Sequence, residues 1–195
     1  MKKIFAAALA LGLLTLSAEQ VNKNGDFEKC KADSAGNLMP EGWTINKGLS
    51  KKYAITMSKE KEDVHGGNFA MEVETEQGGT LFLMNWQPIP VKEGDILKFS
   101  VYAKGEGSFR TGYLMHGVPE GGKNKTFLWT VASKPMKPNE GGYKQFSDSQ
   151  KIAKLVKNKK QHHDVIAIPV IIIGAKSNIL LDDFVVDQTK APAKK

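Results

Sequence analysis

Residues 96–104, Ile96-Leu97-Lys98-Phe99-Ser100-Val101-Tyr102-Ala103-Lys104, set Leu97, Phe99, Val101 and Ala103 in alternation with Lys98, Ser100 and Lys104. A period of two sends successive side chains to opposite faces of an extended chain, so this stretch reads as a strand with one face in a core. Working outward, Tyr53, Ile55 and Met57 alternate in KYAITMSK, and Phe69, Met71 and Val73 in FAMEVET. In TLFLMNW both sets are apolar, Leu81 and Leu83 against Phe82, Met84 and Trp86, which reads as a central strand covered on both faces. Further strands are expected at 108–116, 126–133, 142–148, 164–173 and 178–187. Gly66-Gly67, Gly78-Gly79, Glu93-Gly94-Asp95, Gly121-Gly122 and Gly141-Gly142 mark the turns between them. Short strands punctuated by glycine, with almost no helix, predict an all-β chain folded as an antiparallel two-sheet β-sandwich.

One segment reads two ways. In SQKIAKLVKNKKQHH, Ile152, Leu155 and Val156 sit at helical spacing behind Ser149 as a cap, yet a strand accommodates the same residues. Residues 1–18, MKKIFAAALALGLLTLSA, combine two lysines, an apolar run and small residues, the pattern of a secretory signal peptide cut after Ala18 or Ser17. No cysteine at the cut offers a lipid anchor, and no second apolar span follows, so the expected product is exported to periplasm or medium without a transmembrane segment. The β-sandwich is expected over 19–187 as one domain, with a disordered basic tail at 188–195. Cys30 is the only cysteine, which excludes an internal disulfide and leaves pairing between two copies open. The formal charge of +7 falls once the leader takes Lys2 and Lys3 with it. That mild excess suits an anionic envelope polymer without requiring one, and nothing points to nucleic acid.

NGDFE at 24–28, PEGW at 40–43, HGGNFAMEV at 65–73, IPVKEGDILKFSVYAKG at 89–105, GGYKQFS at 141–147 and ILLDDFVV at 179–186 follow one another along the chain. In that order they resemble the galactose-binding-like jelly rolls, in particular the carbohydrate-binding modules of families four, nine, sixteen and twenty-two. The resemblance implies a structural calcium ion where the first and last strands meet, held by Glu28 and Asp182 with backbone carbonyls, and with Asp26 and Asp183 as neighbours. Calcium favours six to eight hard oxygen ligands, which carboxylates from distant parts of a chain supply. Asp182 is expected between Leu180 and Phe184 on one strand face, where an unpaired carboxylate is costly to bury. The alternative is a strand end emerging into water, with Glu28 capping a turn. Trp43 falls where the family keeps a core tryptophan.

Sugar recognition needs flat apolar faces for the C–H side of a pyranose and polar groups for its hydroxyls. Trp86 with Asn85 and Gln87, Trp129, and Tyr113 with His116 are the candidates for such a cleft, against the reading in which both tryptophans fill the interior. Arg110 adds a bidentate donor for a carboxylate or a hydroxyl pair, or is simply a surface arginine. Lysines 151, 154, 157, 159 and 160 form either a solvated face or a contact for an anionic polymer. His162, His163 and Asp164 are consecutive, and neighbours on a strand point apart, which disfavours a shared metal site. There is no nucleophile elbow, phosphate loop, zinc spacing or paired-acid arrangement. The expectation is a non-catalytic module that binds a polysaccharide or oligosaccharide, the rival being an envelope protein that uses the same sandwich to hold a protein or an anionic polymer.

Overall fold

The computed structural model describes residues 19–32, 38–46, 53–76 and 78–192, and it is built from strands. In chain order these are β1 (Glu19–Gln20), β2 (Cys30–Ala32), β3 (Leu38–Pro40), β4 (Trp43–Asn46), β5 (Tyr53–Ser58), β6 (Ala70–Thr75), β7 (Leu81–Asn85) and β8 (Ile89–Pro90). The second half adds β9 (Ile96–Glu106), β10 (Phe109–Pro119), β11 (Thr126–Ala132), β12 (Lys144–Lys151), β13 (Val156–Lys157), β14 (Lys160–Ile173) and β15 (Ser177–Thr189). A six-stranded sheet runs β12-β9-β15-β6-β5 with β1 paired to β15, and a seven-stranded sheet runs β11-β10-β14-β7-β4 with β8 and β13 paired to β14. All their pairings are antiparallel. The expected sandwich is therefore the fold.

Alternation builds the core. Leu97, Phe99, Val101 and Ala103 of β9 and Ile179, Leu181, Phe184 and Val186 of β15 face Phe109, Tyr113 and Met115 of β10 and Ala167, Ile171 and Ile173 of β14. Trp43 packs between Phe27 and Phe184, with ring centroids at 5.2 and 5.5 Å, and its indole N–H donates to the Asn24 carbonyl at 3.0 Å. The NGDFE turn docks on the last strand: Phe184 N–H donates to the Gly25 carbonyl at 2.8 Å. A Cβ on Gly25 would lie 1.7 Å from the Phe184 carbonyl oxygen, so the approach needs glycine. Asn22 completes the seam, accepting from Val186 N–H and donating to the Phe184 carbonyl, each at 2.7 Å.

One open reading is resolved and one expectation changes. Residues 149–163 form no helix: β12 runs on to Lys151, and β13 and β14 meet in a hairpin whose Asn158 and Lys159 take left-handed φ of 53° and 62°. Ile152 and Leu155 both reach the core from extended chain, so their three-residue spacing carries no helical meaning. Nor does disorder start at 188. Gln188 and Thr189 complete β15, the Gln188 amide donates to Asp95 at 3.1 Å, and Ala191 N–H reaches the same carboxylate at 2.8 Å. The proposed leader, residues 1–18, lies outside the described residues, among which no helix is long and apolar enough to cross a membrane.

Candidate functional site

Side chains directed away from the core differ between the two sheets. On the seven-stranded sheet the cross-strand register sorts them into four rows. The first is Arg110, Ile172, Phe82 and Asn46; the second is Ala132, Gly112, Val170, Met84 and Thr44. Thr130, Leu114 and Ile168 form the third, and Phe127, His116, Ile166 and Pro90 the fourth. Ile168, Val170 and Ile172 of the central strand are buried, while Phe82, Met84 and Leu114 on either side are half-exposed. The result is an apolar trough with polar groups at its margins. Trp86, the next outward residue in the alternation after Phe82 and Met84, is 54% exposed, and its N–H continues the pairing to the Gly42 carbonyl at 2.6 Å. None of these outward positions carries an acid. Arg110 and His116 stand at opposite ends, about 20 Å apart by strand rise. Burial lowers the His116 pKa, so its imidazole is neutral near pH 7, and its ring meets Phe127 edge-on at 5.6 Å.

The candidate ligand residues thus divide. Trp86, Arg110 and His116 lie on this surface, and half-buried Gln87 adjoins Trp86. Tyr113 does not: it is 1% exposed, stacks on Phe99 at 6.5 Å, and burial pushes its hydroxyl up to about 12. Asn85 is fully buried opposite Trp43, its amide nitrogen donating to the Lys23 carbonyl at 3.1 Å. Trp129 pairs with inward-facing Met115 and packs against the core half-buried. These three belong to the interior, because odd-numbered residues of β7 and of β10 up to Met115 face inward, and an irregularity between Met115 and His116 resets β11. Phe82, Met84, Leu114, Phe127 and Thr130 are surface residues that the sequence reading missed. Their signal was the two-faced apolar character of 81–86 and 164–173, taken there as cover on both sides.

The second candidate region lies at the chain ends. In β15 an extra residue sits between Asp182, opposite Tyr102, and Val185, opposite Ser100. Asp183 supplies it with a left-handed φ of 48°. This bulge corrects the expectation that Asp182 shares a face with Phe184: Asp182 turns outward with Leu180, and Phe184 turns into the core. Asp182 is nonetheless fully buried, under the loop carrying His65-Gly66-Gly67-Asn68. One carboxylate oxygen accepts from His65 N–H at 2.9 Å and Gly66 N–H at 3.1 Å, and the other from Asp183 N–H at 2.8 Å. Desolvation pushes its pKa up to about 6 against the pull of those donors. Glu28 grips the same loop from the other terminus. It accepts from Asn68 N–H at 2.7 Å, Phe69 N–H at 3.0 Å and the Asn68 amide at 2.8 Å. Desolvation raises the Glu28 pKa, but these donors together outweigh it and the net shift is downward. A Cβ on Gly67 would stand 2.3 Å from a Glu28 oxygen, so glycine permits the grip. Asp183 meets the His65 ring nitrogen at 2.8 Å, and that ring stacks on Tyr102 at 3.6 Å. Exposed Asp26 lies at the margin, one oxygen 3.5 Å from Glu28 N–H.

Among the described residues no three His, Cys, Asp or Glu side chains gather at metal-binding distance, so a cation here would rely on backbone carbonyls beside Glu28 and Asp182. The donor chemistry is compatible with calcium. Asp182 is a buried carboxylate without a cationic side-chain partner among the described residues, and one oxygen of each acid accepts only a single hydrogen bond. His162, buried, and His163, exposed, point apart as expected.

No family model matches the chain, and no curated protein matches it. Solved structures do. A cyclase from Fischerella sp. TAU superposes with a TM-score of 0.58 at 14% identity, over 92% of this chain and 100% of that one. The N-terminal CBM22-1-CBM22-2 tandem domain of Paenibacillus barcinonensis Xyn10C gives 0.52 at 12% identity, over 93% of this chain and 49% of the tandem. The enzymatically active domain of tailspike protein 4 from Bacteriophage CBA120 gives 0.52 at 10% identity, over 86% of this chain and 21% of that one. The fold is the two-sheet antiparallel jelly roll that these structures share, as the resemblance implied. A cyclase and a tailspike domain share the architecture, so function has to be argued from the surface.

Proposed function

We propose that this chain is an exported, non-catalytic carbohydrate-binding domain whose ligand lies across the outward face of the seven-stranded sheet. One observation carries the reading: an apolar trough bordered by exposed Trp86, with Arg110 and His116 at its ends and no acid along it. Flat and aliphatic side chains receive the C–H faces of pyranose rings, and Thr44, Thr130, Arg110 and His116 supply hydrogen bonds at the margin. A length of about 20 Å accommodates several sugar units rather than one. Calcium, in this reading, binds at the chain-end junction through Glu28 and Asp182 and stabilises the loop between them without touching ligand.

The test is affinity electrophoresis of the mature protein through gels containing neutral and acidic polysaccharides, with Trp86→Ala and Trp129→Ala alongside. Retardation by a glycan that disappears in Trp86→Ala, while Trp129→Ala retains it at a temperature where that variant is folded, supports the reading. Absence of retardation across a broad panel rejects it in favour of the envelope-protein reading. That rival gains little from the tryptophans, since only Trp86 is exposed. Nor is the whole lysine ridge free: Lys157 is held by the Phe127 and Leu128 carbonyls at 2.9 and 2.6 Å.

A further inference from the structure

Arg110 is the only arginine among the 28 lysines and arginines of the chain, and it stands in cross-strand rows that carry no acid. All the others are lysines. Arginine differs from lysine in a planar fork of donors that matches a carboxylate with two parallel hydrogen bonds. The surroundings turn this difference into a site. Arg110 lines a depression of 560 Å³ together with Phe82, Ile172, Thr130, Ala132 and Pro135. Phe82 and Ile172 belong to its own cross-strand row, so an aromatic and an aliphatic surface lie beside the guanidinium. Among the described residues no carboxylate pairs with Arg110, whereas Lys104 and Lys190 each meet an aspartate. At the far end His116 is kept neutral by burial and the Lys157 ammonium, 5.3 Å over the Phe127 ring, is engaged by the Phe127 and Leu128 carbonyls, so Arg110 is the cation of the Phe82–Ile172 row.

We infer that the trough takes an acidic saccharide, with the carboxylate of a uronic acid unit held by the Arg110 fork and the C–H face of that ring against Phe82 and Ile172. The inference rests on the carbohydrate-binding reading and deepens it. It places the charged unit at the Arg110 end and neutral units toward Trp86 and His116, which gives the ligand a direction along the sheet. A polymer of uniform charge drawn to the basic surface at large would not depend on this residue, since replacing one of many cations changes the overall charge little.

The deciding experiment measures binding of polygalacturonate, alginate and glucuronoxylan, each beside its carboxyl-reduced neutral counterpart, with dextran sulfate as a polyanion of different geometry. The wild-type chain, Arg110→Lys, Arg110→Ala and Trp86→Ala are compared after thermal melts show them folded. The expected result is that at least one uronate polymer binds about tenfold or more tightly than its reduced form. Both Arg110 variants fall to the affinity of the reduced form, and Trp86→Ala weakens both forms. Equal binding of acidic and reduced polymers overturns the uronate inference and leaves the carbohydrate reading standing. Retention of the full preference in Arg110→Lys overturns it as well, because charge alone then suffices. Dextran sulfate bound as tightly as the best uronate, with or without Arg110, identifies the preference as general polyanion attraction and also overturns it. Failure to bind any member of either series removes both the inference and the reading beneath it.

Discussion

The two outer faces of this sandwich are made by the same alternation and finish as opposites. On the six-stranded sheet the outward residues include Lys98, Ser100, Tyr102 and Lys104 of β9, Glu72 and Glu74 of β6, and Asn178, Asp182 and Asp187 of β15, with Leu180 and Val185 as apolar members. Part of that face is roofed: His65 lies on Tyr102, Lys104 meets Asp63 at 3.1 Å, and the loop amides close on Asp182. On the seven-stranded sheet the outward residues of the four rows are mostly aliphatic and aromatic, Arg110 is the charged side chain among them, and Lys157 reaches in over Phe127 from the β13–β14 hairpin. The inward faces of both sheets are interchangeable in chemistry. What distinguishes the roofed, charged face from the apolar trough lies in the outward half of the alternation.

The largest expected effect breaks both faces at once. Phe184→Ala removes the ring that packs on Trp43 and approaches Phe99 at 6.3 Å, and it should cost about 3–5 kcal/mol in denaturant unfolding, as for a large core truncation. A loss below about 1 kcal/mol would mean that Phe184 is not the hub connecting the bulge to the core. Next, Trp86→Ala should separate the faces: binding weakens by at least about tenfold, while unfolding changes by no more than about 0.5 kcal/mol. A large stability loss without a binding loss would return Trp86 to the interior.

The roofed face is probed through calcium and pH. With calcium at a hundredfold excess over its Kd, stability should rise by about 2.7 kcal/mol, and a chelator should remove that gain without changing glycan affinity measured below the melting temperature. The sign of the pH response is a sharper discriminator. Without calcium, the folded-state pKa of Asp182 of about 6 lies above its ordinary 3.8, so its contribution favours the fold most at low pH and is lost as pH rises through 6. Bound calcium requires the ionised form and reverses that slope between about pH 4 and 6. Melts of wild type against Asp182→Asn, with and without chelator, test for the reversal; parallel slopes would exclude calcium at Asp182. The smallest effect belongs to Lys154→Ala, which should leave stability within about 0.5 kcal/mol and retardation by neutral glycans unchanged.

Much of the architecture was legible because a two-residue period is robust: Leu97 through Ala103 name their own face, and the neighbouring strands follow. The failures have a common physical origin in places where the period slips. The extra residue after Asp182 moved Phe184 into the core and Asp182 out of the row expected for it. The irregularity near Met115 helped turn Trp129 inward, and left-handed Asn158 and Lys159 made a hairpin where helical spacing was an open reading. Residue type alone marked Trp86, Arg110 and His116 as binding candidates. It also selected Tyr113 and Asn85, because an amphipathic side chain serves a cleft or a core equally well until its face is known. Phe82 and Met84 escaped notice for the complementary reason: apolar residues on both sides of a strand read as doubly covered, and one of those sides is the trough.

The pairing of Glu19 with Gln188 has a mechanical consequence. The described chain enters and leaves the sandwich at the same point, on adjacent antiparallel strands. Tension applied between those ends would peel β1 from β15 one rung at a time, which needs far less force than shearing a whole ladder. The peeling front then meets the Asn22 and Gly25 bonds to Val186 and Phe184, followed by the double grip on the His65–Phe69 loop. A tethered copy of this domain should therefore yield first by a short, reversible extension at its seam, with the seven-stranded sheet still intact behind it.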